Sequence, residues 1–269
     1  MLIDPNALSY WINHFYGYGS WNAPIWFVAL EDGGGNVPEE VADKLSFFSN
    51  THGQVTGPTL SDLREMYRHL VFRFERSKAD EFTNLYEYRF GNDAKLHWLW
   101  KNLIAFVHGY RNEELADVLA YQKNSFVLQS TPNETLIRLY PLPNPHHHAW
   151  YYGWLDMPQF PFLKSRALYQ EHVYENRMRT LLHSIATYKP EVVLMYGMEN
   201  INKLKKPMQE SFPESKFKIA KAIKQQIPQH HRADLNGTTM IITTQIPALR
   251  HGRIETGFDW EEFGRAVKL

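Results

Sequence analysis

The 269-residue sequence contains no cysteine. That excludes disulfides, thiolate nucleophiles and cysteine-held iron–sulfur clusters, and leaves His, Asp and Glu to bind any metal. No apolar run approaches the length of a membrane span, and the opening Met1–Trp11 has no signal-peptide layout, so the expected location is the cytoplasm. Low-complexity tracts, heptads and fixed-period repeats are also missing. The formal net charge is zero, so the chain as a whole carries no electrostatic label for nucleic acid. What is there is a globular balance, 43% hydrophobic against 22% charged, on a chain long enough to bury a substantial core. Charge is unevenly spread, with fifteen Lys/Arg against seven Asp/Glu from Lys164 to Arg253 and an acidic lean over 31–93. Such a basic face is either a solvated helix surface or a seat for a phosphate backbone.

Four short runs are apolar, rich in strand formers and flanked by turn signals: 25–30 (IWFVAL), 135–140 (TLIRLY), 191–196 (EVVLMY) and 239–244 (TMIITT). Helical patterns separate them. Pro38-Glu39-Glu40 reads as a first helical turn, Thr59 as the N-cap of a helix over 59–74, and 94–109 as a helix rich in aromatics. Residues 165–188 predict a long amphipathic helix and 214–226 a basic one. Strands alternating with helices predict an α/β fold, three α/β/α layers around a central, mainly parallel four-stranded sheet. Residues 38–130 read as nearly all helical, a large insertion within one domain spanning 1–269. Open parallel sheets bind ligands beyond the carboxyl ends of their strands, and every unusual polar cluster here follows a strand.

After the first strand comes LEDGGGN: Glu31 and Asp32, then Gly33, Gly34 and Gly35. Glycines let the backbone approach a ligand and aim N–H groups at it, although a tight turn with exposed carboxylates has the same composition. No Walker A or dinucleotide glycine pattern is present. After the second strand comes RLYPLPNPHHHAW, in which Arg138 sits inside an apolar strand, where an unpaired guanidinium is costly. His146, His147 and His148 resemble metal ligands, but adjacent residues point apart and a surface loop explains them. The third strand runs into YGMEN, a plain turn at Gly197. The fourth runs into TTQIPALRHGR, where Gln245, Arg250, His251 and Arg253 either meet a ligand or DNA phosphate or lie on the surface.

Together these stretches resemble the uracil-DNA glycosylase superfamily, whose members carry their chemistry in loops after the first, second and fourth of four parallel strands. ALEDGGG lies over the family's Gly-Gln-Asp-Pro-Tyr or Gly-Glu-Ala-Pro-Gly loop, and IRLYPLPNP over its Asn-and-proline loop. YKPEVVLMYGMEN is similar to its Pro-x-Val strand ending in Gly, and ITTQIPALRHG to its last strand ending in His-Pro-Ser. The departures are specific. Glu31 stands where the best-known branch has a catalytic Asp, with Asp32 beside it; Arg138 replaces the base-recognising Asn, and Gln245 the final His. The iron–sulfur branches are excluded by the missing cysteines.

The resemblance implies a DNA glycosylase acting as a monomer without metal or cofactor. Cleaving an N-glycosidic bond builds a cationic sugar and an anionic leaving base. Glu31 or Asp32 would serve the sugar; Gln245, His251 or the Gly33–Gly35 N–H groups would serve the base anion. A flipped base needs aromatic walls, for which Trp150, Tyr151, Tyr152 and Trp154 are candidates alongside a core-packing role. Gly33, Gly34, Arg138 and Asn144 complete the expected base pocket, and Arg250, His251 and Arg253 the backbone contacts. Arginine has only donors and suits the acceptors O2 and N3 of cytosine rather than uracil N3–H. That points to a modified cytosine, such as the glucosylated hydroxymethylcytosine of phage DNA, in an anti-phage setting. The alternative for Arg138 is a buried carboxylate partner. Rival functions are a conventional uracil glycosylase, a non-catalytic module binding modified bases or nucleotides, and a metal hydrolase using His146, His148 and His251.

Overall fold

The computed structural model describes residues 3–35, 37–71, 81–114, 116–144, 150–248 and 257–268. Eight strands lie among them: β1 (Phe15–Tyr18), β2 (Ile25–Glu31), β3 (Thr59–Ser61), β4 (Glu134–Tyr140), β5 (Val192–Met195), β6 (Lys218–Ala220), β7 (His230–Leu235) and β8 (Thr238–Ile242). The described helices are α1 (Pro5–His14), α2 (Pro38–His52), α3 (Leu63–His69), α4 (Leu85–Phe90), α5 (Trp100–Arg111), α6 (Val118–Asn124), α7 (Arg166–Tyr188), α8 (Ile201–Ser211) and α9 (Trp260–Lys268).

The four apolar runs fall on β2, β4, β5 and β8, which lie side by side as β4-β2-β5-β8 and are all parallel. Every residue of β4 and β5 is buried, as strands covered on both faces require. Successive residues of β2 face opposite ways. Trp26 meets Tyr188 at the end of α7, while Phe27 meets Phe106 of α5 edge-on, with ring centroids 5.8 Å apart. Helices therefore cover both faces. On the α5 side α9 packs closely, because Gly109 and Gly264 have no side chain to keep the two backbones apart.

The sheet is larger than a four-stranded parallel one, and it is mixed. Its full order is β3-β1-β4-β2-β5-β8-β7-β6, with β1 antiparallel to β4 and the β8-β7-β6 meander antiparallel throughout. The added strands are short or polar. Half of the β7 run HHRADL faces away from the core, which hides its period from an apolar-run search.

Two expected helices are corrected. Thr59–Ser61 is the edge strand β3, and the helix after it is only α3, capped by Asp62 accepting from the Arg64 and Glu65 N–H groups. Residues 214–226 form no helix; they hold β6 and a turn closed by the Ile223–Ile227 bridge, and α8 lies just before them. The segment 38–130 carries α2 to α6 but also contributes β3, so it is not wholly helical. Ser165 caps α7 by accepting from Leu168 N–H, close to the expected start.

Candidate functional site

Parallel pairing of β2 with β4 places Ala29 against Arg138 and Glu31 against Tyr140, which brings the two charged strand ends together. Glu31 and Asp32 are consecutive, so their side chains diverge, and each meets its own set of donors.

Asp32 is 4% exposed and receives three side-chain donors. Arg138 Nε donates to Oδ1 at 3.0 Å; Lys44 Nζ and the Tyr18 hydroxyl donate to Oδ2 at 3.2 and 3.0 Å. Burial alone would raise the Asp32 carboxyl, but the Lys44 and Arg138 charges outweigh it and hold it below its ordinary value. The same pairing raises Lys44 and Arg138 against a burial that would lower them. The alternative account of Arg138 is thus realised in part: its Nε is committed to a buried carboxylate, while the residue still lines the cavity described below. Arg177 fixes the strand from behind. Buried on α7, it donates to the carbonyls of Arg138, Leu139 and Phe15 at 2.6, 3.0 and 2.8 Å.

The Glu31 side chain is somewhat more exposed, 10% against 5% for that of Asp32. Arg166 Nε and Gln170 Nε2, from the first turns of α7, donate to Oε1 at 2.6 and 2.8 Å; Asn144 Nδ2 donates to Oε2 at 3.1 Å. Asn144 is held by its N–H to the Asp32 carbonyl, and its side-chain Oδ1 is buried without a partner among the described residues. The glycines complete the turn. Gly34 (φ +90°) and Gly35 (φ +71°) are left-handed, and Glu40 in the first turn of α2 accepts from Gly35 N–H at 2.9 Å. A Cβ on Gly34 would lie 2.8 Å from Glu40 Oε1, whereas one on Gly33 would meet no atom of the described residues within 4 Å.

These groups floor a cavity of ≈ 720 Å³ at the carboxyl ends of the parallel strands. Its floor holds Glu31, Asp32, Gly33, Gly34 and Arg138, and its far rim Tyr196–Glu199, Thr244 and Ile246. Tyr67, Tyr88, His97, Trp98 and Trp100 form the opposite wall, all from the 38–130 segment. His97 stacks on Trp100 with centroids 4.4 Å apart. Its Nδ1 accepts from Leu99 and Trp100 N–H, and burial, then Arg89 and Arg138, push it down to about 3, so it is neutral in ordinary buffers. Among the described residues, four acidic ones (Glu31, Asp32, Glu40, Glu199) and four basic ones (Lys44, Arg89, Arg138, Arg166) line the cavity, so their formal charges balance.

The expected residues separate into three groups. Glu31, Asp32, Gly33, Gly34 and Arg138 meet in the cavity, with Asn144 bonded to the Glu31 carboxylate. Trp150 and Tyr151 do not line it. Trp150 donates to the Leu163 carbonyl and Tyr151 to that of Gly35, so both brace the loop. Gln245 accepts Gly197 N–H through its backbone carbonyl, and its neighbours Thr244 and Ile246 take the cavity positions. Arg250, His251, Arg253 and the run His146–His148 lie outside the described residues. Among the described residues no group of three or more His, Asp or Glu is placed to hold a metal ion, and no helix is long and apolar enough to cross a membrane.

Lys44, Arg166, Gln170 and the aromatic wall were not singled out from the sequence. One signal was available for the first two: buried carboxylates at 31 and 32 demand cations, and Lys44 and Arg166 sit in early turns of the helices that flank that strand end. No family model, curated protein or solved structure matches the chain.

Proposed function

We propose that the cavity receives a nucleobase extruded from DNA and that the protein hydrolyses its N-glycosidic bond, as a divergent relative of the uracil-DNA glycosylases. The observation that carries this reading is the cavity itself: two carboxylates, an arginine and an aromatic wall converge where the four motif-bearing parallel strands end. The balanced charge of the described lining suits a neutral base better than a nucleotide phosphate, which a phosphate site would meet with excess cation.

The two carboxylates take different parts. Asp32, fully buried between Arg138 and Lys44, orients the guanidinium; Glu31, the more exposed, faces the cationic sugar and aligns water. The Gly33 N–H, on a cavity-lining residue with no described atom within 4 Å of where a Cβ would stand, and the guanidinium of Arg138 offer donors to the leaving base. Arg138 carries donors only, which favours the O2 and N3 acceptors of cytosine. The cavity is of a size that takes a drug-sized ligand, larger than one pyrimidine, and so leaves room for a modified cytosine such as the glucosylated hydroxymethylcytosine of phage DNA. On this reading the protein acts in anti-phage defence, as a monomer in the cytoplasm.

The test is to incubate the protein with DNA carrying glucosylated hydroxymethylcytosine, hydroxymethylcytosine, cytosine or uracil and score abasic sites. Release of the glucosylated base is the expected result. Release of uracil alone would sink the modified-cytosine reading, and release of nothing would sink the glycosylase reading. One observation favours a second reading, a non-catalytic binding module: Glu31 is itself paired with Arg166, which weakens it as a base. Binding of modified DNA without release, unchanged in Glu31→Gln, would select that module.

A further inference from the structure

A second cavity, of ≈ 710 Å³, lies at the other end of the sheet. Asn236 and Thr239 line it where β8 begins, whereas the candidate site borders Thr244 and Ile246, just past the end of that strand. Its other walls come from the β6–β7 pair and from the segment after α8, which brings Phe212 and Pro213. The proposed base release makes no use of it.

Its cations stand where the fold gains nothing from them. β6 and β7 are antiparallel, and Lys218 lies directly opposite Arg232. Directly opposed residues share a face, and like charges there repel. Lys216, two residues before Lys218, adds a third cation to the lining. Among the described residues none of the three forms an ion pair, although Glu214 and Asp234 line the same cavity. Asp234 is committed to its own hairpin, where it accepts from Gly237 N–H at 3.0 Å. The Phe212 carbonyl at the end of α8 is taken as well, accepting the Ser215 N–H at 3.0 Å and the Ser215 hydroxyl at 2.6 Å. Three cations against two carboxylates leave this described lining one positive charge in excess, where that of the candidate site is balanced.

We infer that this cavity binds a phosphate monoester of a small molecule, held by Arg232 and Lys218 with Lys216 beside them. Two opposed cations match a doubly charged phosphate, which turns their repulsion into a shared attraction. The volume lies in the range of small-molecule sites and leaves room beyond one phosphate group. Phe212 and Pro213 offer an apolar surface, and Asn236 a polar one, to the organic part. The site stands independently of the glycosylase reading, so neither test decides the other.

The experiment is calorimetry on the full chain at low salt, with AMP, glycerol phosphate, inorganic phosphate, adenosine and short single-stranded DNA as probes. At least one monoester is expected to bind about tenfold or more tighter than inorganic phosphate, and adenosine not at all. Arg232→Gln and Lys218→Gln should each weaken the monoester by about tenfold or more, the loss of one charge-assisted hydrogen bond. Arg166→Gln, in the other cavity, should leave its affinity unchanged. Without a probe, Arg232→Gln should melt at or above wild type, because it relieves the repulsion from Lys218. A clear fall in that melt would make the guanidinium structural and overturn the inference. So would monoesters no tighter than inorganic phosphate, or binding that survives both substitutions. DNA that binds more tightly than any monoester through the same residues would assign the cations to a nucleic-acid backbone and overturn the small-molecule site.

Discussion

Replacing Asp32 by Asn tests the central claim about the site, that its buried carboxylate is there to hold two buried cations. The substitution keeps the shape and removes one charge. Of the three donors now aimed at Asp32, an amide oxygen can keep some, but the amide nitrogen then faces a donor. Breaking a buried ion pair from one side costs about 3–5 kcal/mol. The lower end applies here because Lys44 retains Glu40 at 3.6 Å. About 3 kcal/mol corresponds to a fall in melting temperature on the order of 6–12 °C for a chain of this size. Lys44→Met should cost less, about 2 kcal/mol, because Arg138 still answers the carboxylate.

The pH dependence separates this from simple misfit. Lys44 and Arg138 hold the Asp32 carboxyl below its unfolded value, so its stabilisation is complete above about pH 4 and is lost as pH falls through the lower, folded value. Urea melts from neutral to acid pH should therefore show the gap between wild type and Asp32→Asn narrowing in acid. A gap that stays constant down to strongly acid pH, or no gap at neutral pH, would refute the ion-pair account.

Glu31→Gln should lower the unfolding free energy from urea melts by about 2 kcal/mol, because Arg166 loses its carboxylate, and on the proposed reading should lower abasic-site formation by about 10²–10⁴-fold, the usual weight of a positioned acid–base group. At the opposite end of β4, burial raises the Glu134 carboxyl from 4.5 to about 7. The stability of wild type relative to Glu134→Gln should fall by roughly 3 kcal/mol as pH rises through that range, the histidine titrations being common to both, read from paired urea melts at pH values below and above it. Arg177→Met strands three backbone carbonyls and should cost at least about 3 kcal/mol, with Arg177→Lys recovering part, by the same melts. Gly34→Ala, strained at φ +90° and crowded by Glu40, should destabilise by about 1–2 kcal/mol, while Gly33→Ala should leave stability unchanged and reduce base release instead.

The centre of the fold was legible because its strands are unmixed apolar runs. IWFVAL and EVVLMY admit one reading wherever a sheet is covered on both faces. The flanks were not, because β3 and β6 are three residues long and owe their pairing to a neighbour rather than to a pattern of their own. KFKIAKAIK has helical composition, yet Lys218–Ala220 pairs with β7, a tertiary choice overriding local preference. The same division runs through the site. Strand ends announced Glu31, Asp32 and Arg138, but the aromatics nearest in sequence, Trp150 and Tyr151, proved to be braces. The wall comes from Tyr67, Tyr88, Trp98 and Trp100, and nothing local in their sequence says which cavity they face.

Adjacent carboxylates at a strand end need a physical reason, and the diverging side chains supply two. Asp32 turns inward, and its charge is cancelled by Lys44 and Arg138 so completely that it acts as a joint between β2, β4 and α2. Glu31 turns toward α7 and is restrained by Arg166, Gln170 and Asn144 without being fully covered. A carboxylate whose partners fix its direction and leave it partly exposed is pre-organised for charge that develops outside it. The glycines then have a geometric cause: the chain must leave β2, pass between these two ionic clusters and enter α2 within a few residues. Only left-handed positions at Gly34 and Gly35 make that turn while Glu40 reaches back to close it. Arg138 couples the halves, since the guanidinium held by the structural carboxylate also lines the cavity where the other carboxylate would act. A conservative change at Asp32 should therefore weigh most on stability and disturb recognition with it, whereas one at Glu31 should weigh most on chemistry.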